Sequence, residues 1–156
     1  MSAIDNLIVP KTAALTGAKP TAEIMAFGGS GAGANESGER IDVSDLSTKP
    51  KWKRTSEMSN ARTAANAVQL PNGKILVVGG GPLNAELLDP DKNTWEQTPA
   101  VAAQRAYHST SVLLPDGSVL AMGGSGDISA EIYTPNYFGA ERPEIQTAPE
   151  QASYGA

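Results

Sequence analysis

An all-β fold is predicted by three observations on this 156-residue sequence: 16 Gly and 11 Pro fall between short apolar runs, no long amphipathic helix is readable, and one strand-turn-strand unit recurs. The clearest copies are LPNGKILVVGGG at Leu70–Gly81 and LPDGSVLAMGGS at Leu114–Ser125. They agree at six of twelve positions, and their glycine doublets stand 44 residues apart. A repeat of about 40 to 50 residues marks a propeller or a solenoid. AEIMAFGGS at Ala22–Ser30 is a third, more degenerate copy.

Each copy resolves into short strands separated by turn residues. Leu7–Val9, Ala65–Leu70 and Ser109–Leu114 are the strands that lead into the three doublets. Pro71-Asn72-Gly73 and Pro115-Asp116-Gly117 bend the chain in the second and third copies. After each doublet comes a polar or glycine-rich loop and a further strand: Arg40–Val43, Ala85–Leu88 and Ala130–Tyr133. Trp52 and Trp95 mark an outer strand in the first two copies, and the third has no clear counterpart. Each copy thus reads as a four-stranded antiparallel blade, at about residues 4–57, 58–99 and 100–138, with 139–156 as exit linker and tail. Propellers close with four to eight blades, so three make an incomplete ring. Further blades or self-association are the expected partners, because an open stack leaves sheet edges and faces uncovered.

Twelve Lys plus Arg against 17 Asp plus Glu give a net charge of -5, which argues against a nucleic-acid partner. No apolar run approaches the roughly 20 residues of a helical span, so no membrane partner is expected either. The N-terminal stretch, interrupted by Pro10 and Lys11, is a poor secretory signal and leaves localisation open. The absence of cysteine excludes disulfides, thiolate metal sites and a cysteine nucleophile.

The one stretch with plausible chemistry is Arg105–Gly124, which carries Tyr107 beside His108, the single histidine of the sequence. Adjacent residues on a regular strand point to opposite faces, so the two side chains can share a ligand only where the chain is irregular. Other patterns read as structure. Gly28–Gly33 lacks the following helix and the lysine of a phosphate loop. Asp89, Asp91 and Asn93 have calcium-loop spacing, but Thr94 and Ala100 stand where glycine and glutamate are required. The repeat of Trp52 and Trp95 at equivalent positions favours packing between blades, and Lys49, Lys51, Lys53 and Arg54 read as a solvated outer strand. Asn35-Glu36-Ser37 is a glycosylation acceptor pattern. Glu86 and Glu131 occupy aligned positions and read as structural strand residues.

The doublet, Glu-aliphatic pair and tryptophan resemble a kelch-type repeat. TAEIMAFGGS, ERIDVSDL and KPKWKRTSEMSNARTAANAVQLPNGKILVVGGG are similar to the central blades of glyoxal oxidase. RAYHSTSVLLPDGSVLAMGG, followed by AEIYTPNYF and RPEI, resembles the last blade of glyoxal oxidase and galactose oxidase. The resemblance covers about residues 5–145 and points to the copper radical oxidases. It implies oxidation of an aldehyde or a primary alcohol, a carbohydrate included, by dioxygen with release of hydrogen peroxide. By the same resemblance Tyr107 is the axial copper ligand and catalytic proton acceptor, and His108 is an equatorial copper ligand. The family's second histidine, its equatorial tyrosine and the cysteine cross-linked to that tyrosine have no counterpart; the resemblance places them in earlier blades and a further C-terminal domain. The chain alone is therefore expected to be inactive. The alternative is a non-catalytic kelch-type module that binds a protein or carbohydrate through loops at one end of its blades.

Overall fold

A computed structural model describes residues 5–11, 21–30, 33–124 and 126–141. The predicted tail beyond residue 141 lies outside them. The described residues contain strands and no helix, arranged as three antiparallel sheets. Sheet 1 has the order β1 (Asp5–Lys11), β2 (Thr21–Phe27), β3 (Gly38–Asp42), β4 (Lys53–Arg54). Sheet 2 has β5 (Ala65–Gln69), β6 (Ile75–Gly79), β7 (Asn84–Asp89), β8 (Thr94–Ala100). Sheet 3 has β9 (Thr110–Leu113), β10 (Val119–Met122), β11 (Ala130–Tyr133). Every sheet is a simple meander, and among the described residues the third has three strands and no outer one, consistent with an incomplete β-propeller.

The turns form for the reasons their residues give. Gly73 N–H bonds the Leu70 carbonyl and Gly117 N–H bonds the Leu114 carbonyl, with both glycines in the left-handed region that other residues avoid. The pairing register then sets the alternation. Leu76 stands opposite Val68 and Leu87, and Leu120 stands opposite Val112 and Ile132. Residues paired this way share a face.

Two apolar layers hold the sheets together. Between sheets 1 and 2, Met25, Phe27 and Met58 pack on Ala65, Ile75, Val77 and Leu88. Between sheets 2 and 3, Val68, Leu70, Leu76, Val78, Ala85 and Leu87 pack on Val119 and Ala121. Trp95 joins the first layer, with its ring edge-on to Phe27 at 5.4 Å and its indole N–H donating to the Ser56 carbonyl. Trp52 does not repeat this contact. It is 47% exposed, because among the described residues no sheet neighbours the side of sheet 1 on which its counterpart would pack.

The doublets are joints between sheets. Gly29 N–H bonds the Arg62 carbonyl, and Gly80 N–H bonds the Arg105 carbonyl at 2.6 Å. A Cβ on Gly28 would lie 2.6 Å from the first carbonyl oxygen and one on Gly79 2.4 Å from the second, so only glycine fits. The guanidinium of each arginine then turns into its own sheet. Arg62 pairs with Glu86 at 2.8 Å, both side chains fully buried, and also donates to the Gly79 and Asn84 carbonyls. Arg105 pairs with Glu131 at 3.0 Å and Asp127 at 3.1 Å, and donates to the Gly123 and Ser129 carbonyls.

Candidate metal centre

Tyr107 and His108 occupy the two central positions of a turn closed by Ser109 N–H donating to the Ala106 carbonyl at 2.9 Å. His108 adopts φ +66°, the left-handed conformation that the third residue of a type II turn requires. Glycine is the usual occupant; a histidine there holds strain of about 1–3 kcal/mol. The turn meets the condition set by the sequence: it interrupts strand alternation, and the two rings lie side by side with centroids 3.9 Å apart and planes inclined at 32°. Both side chains are exposed, Tyr107 to 68%.

The chain on either side of the turn is fastened to sheet 2. Before it, the Gln104 side-chain amide donates to the Gly81 carbonyl, and the buried Arg105 bridges Gly80 to the far strand of sheet 3. After it, Asn66 donates to the Ser109 hydroxyl at 2.9 Å. Glu131 accepts the Ala102 N–H, which holds its carboxyl below the ordinary range, and Arg105 adds to the effect. Asp127 is lowered first by the Ser129 hydroxyl and backbone N–H and then by Arg105. Two anions held charged therefore face Arg105, the anchor of the loop. The spacing of Arg62 and Arg105 ahead of their doublets is visible in the sequence; without the fold it does not reveal which carbonyls and carboxylates they meet.

One imidazole and one phenol are donors that suit Cu(II), which favours a tetragonal set of nitrogen and oxygen ligands. Two donors do not complete such a set. Among the described residues no group of three or more His, Cys, Asp or Glu could hold a metal ion. The residues present fit part of a copper site and not a whole one. A cavity of about 710 Å³, lined by Pro71, Leu114, Pro115 and Tyr137 among others, lies at the opposite end of the sheets, and neither Tyr107 nor His108 lines it.

The remaining motifs are accounted for by structure. Asp89 accepts the Lys92 N–H in the β7–β8 turn, and Asn93 accepts the Ser56 N–H. Asn35 accepts the Ser37 N–H and hydroxyl within its own loop. The Gly31-Ala32 part of the glycine-rich loop lies outside the described residues.

The chain is 30% identical to galactose oxidase of Gibberella zeae over 82% of its own length. It is 29% identical to the aldehyde oxidase GLOX1 of Arabidopsis thaliana over 86% of its length. A solved fungal alcohol oxidase of the AA5 family, in complex with copper, superposes on 80% of the chain with a TM-score of 0.69 and 25% identity. These matches relate the chain to galactose oxidase, a plant aldehyde oxidase and a fungal alcohol oxidase, and support the copper radical oxidase family. It spans 22% of the galactose oxidase, 29% of the aldehyde oxidase and 32% of the alcohol oxidase chain. No protein-family model matches it.

Proposed function

We propose that this chain is a segment of a copper radical oxidase that oxidises an aldehyde or a primary alcohol with dioxygen and releases hydrogen peroxide. The segment contributes Tyr107 and His108 to the copper centre, with Tyr107 also receiving the substrate proton. Copper, when bound, supplies the redox chemistry; the chain's own part is to present one phenol and one imidazole together. The observation that carries the reading is the Tyr107–His108 turn: its left-handed histidine brings two donors side by side on a loop tied at both ends to a neighbouring sheet. The ligands still required lie outside this segment, so the chain alone is inactive.

The alternative is a non-catalytic module, and the cavity at the opposite end of the sheets is the observation that favours it. His108→Ala separates the two. Copper uptake and peroxide formation by the assembled oxidase fall to background under the oxidase reading. Equal uptake by wild type and variant would remove the metal claim.

A further inference from the structure

We propose that Asn72 is a site of spontaneous modification, where the main-chain nitrogen of Gly73 attacks the side-chain amide and converts the residue to aspartate and isoaspartate. The inference is independent of the copper reading. The reacting atoms all belong to one turn and water is the only other reactant, so it does not rest on what chain flanks the segment.

Asn72 is the only asparagine of this sequence that is followed by glycine. It stands exposed at the tip of the β5–β6 hairpin, in a turn closed by Gly73 N–H donating to the Leu70 carbonyl at 2.9 Å and Leu70 N–H donating to the Lys74 carbonyl at 2.8 Å. The Asn72 side-chain oxygen accepts the Lys74 N–H at 3.1 Å. That bond folds the amide back over its own main chain and aims a donor at the oxygen on which negative charge develops when the amide carbon is attacked. A Cβ built on Gly73 would meet nothing within 4 Å, and glycine carries no side chain to obstruct ring closure. The step balances without redox chemistry. The Gly73 nitrogen gives up its proton and bonds Asn72 Cγ, the amide nitrogen leaves as ammonia with that proton, and a five-membered imide results. Water then opens the imide at Cγ to give aspartate, or at the main-chain carbonyl to give isoaspartate. Loss of the Gly73 proton makes the step faster in alkali.

The equivalent turn of sheet 3 shows what each product does. Asp116 stands before Gly117 as Asn72 stands before Gly73, and its carboxylate accepts the Ser118 N–H at 2.9 Å as Asn72 accepts that of Lys74. An aspartate at 72 therefore keeps the turn. Isoaspartate does not: it lengthens the main chain by one methylene inside the turn and displaces the Leu70–Lys74 bond, and Leu70 is buried in the layer between sheets 2 and 3. The Asp116 turn is itself protected from the same ring closure. Its carboxylate is a poorer electrophile than an amide, Gly117 is buried, and the Tyr137 hydroxyl donates to the Gly117 carbonyl at 2.6 Å. Two turns of one sequence pattern thus differ in chemistry: the first converts with time and the second is capped.

The test is peptide mapping by mass spectrometry of the purified protein after incubation at neutral and mildly alkaline pH, with isoaspartate counted by enzymatic methylation. Asn72 is expected to convert roughly tenfold faster or more than any other asparagine, since only there does the attacking nitrogen belong to glycine. The rate rises with pH, both products appear at 72, and no isoaspartate appears at 116. Asn72→Asp is expected to unfold at the same urea concentration as the wild type. An intact Asn72 amide, conversion of other asparagines at an equal rate, a rate indifferent to pH, isoaspartate accumulating at Asp116 as fast as at Asn72, or destabilisation by Asn72→Asp would each overturn the proposal.

Discussion

Sheets 2 and 3 carry the same device in different surroundings. Arg62 and Glu86 form an ion pair with both side chains inaccessible, whereas Arg105 is buried but its partners Glu131 and Asp127 keep 26% and 37% of their side-chain surface exposed. Among the described residues, sheet 2 has a neighbour on each face and sheet 3 has one. The same arginine-carboxylate clamp is therefore a sealed structural network in one place and a hydrated anchor in the other, and only the hydrated one holds the loop that presents Tyr107 and His108. A neighbouring sheet, more than the residues of the clamp, sets what the clamp is worth.

The sharpest way to break that contrast is to remove one carboxylate from each clamp. Glu86→Ala strands a buried guanidinium and is expected to cost about 3–5 kcal/mol in urea unfolding. Glu131→Ala is expected to cost about 1 kcal/mol, because Glu131 is itself partly exposed and Asp127 still pairs with the buried guanidinium. Equal losses would mean that burial does not distinguish the sheets.

Acid sharpens the same comparison. Burial pushes the Glu86 carboxyl up, but hydrogen bonds from Arg62, the Ser59 N–H and Asn60 outweigh it and hold the group below its ordinary value. A depressed folded value contributes stability that is fully present above the ordinary glutamate range near about 4.3 and is lost as pH falls through the folded value. Wild-type stability should decline below about pH 4 more steeply than that of Glu86→Gln, measured by urea titrations at stepped pH. Parallel curves would show that the pair does not titrate with folding.

The smallest expected effect separates stability from chemistry in sheet 3. His108→Gly removes the left-handed strain, and the protein should gain about 1 kcal/mol while losing the proposed copper donor. A loss of stability would show that the imidazole contributes packing that outweighs its backbone strain.

Much of this fold is legible in the sequence because its signals are local. The Leu-Pro-Asp-Gly turn, the alternation around Leu76 and Leu120, and the doublets each depend on residues close in the chain. The Arg62 and Arg105 clamps are not legible in that way: their partners are assembled by sheet pairing, and a lone arginine before a strand gives no hint of burial. Trp52 teaches the converse. Its spacing matches Trp95, yet its environment differs, because burial at that position depends on a neighbouring sheet that no local pattern encodes. The candidate site lies between these cases. Tyr107 and His108 stand out by residue type, but their side-by-side geometry comes from a left-handed histidine that the sequence gives no reason to expect.

The measurement that tests the central claim most directly is the electron paramagnetic resonance spectrum of Cu(II) in the assembled protein, wild type beside His108→Ala. Nitrogen hyperfine structure that loses one imidazole in the variant is the result predicted. Identical spectra would place the copper elsewhere and contradict the assignment of Tyr107 and His108.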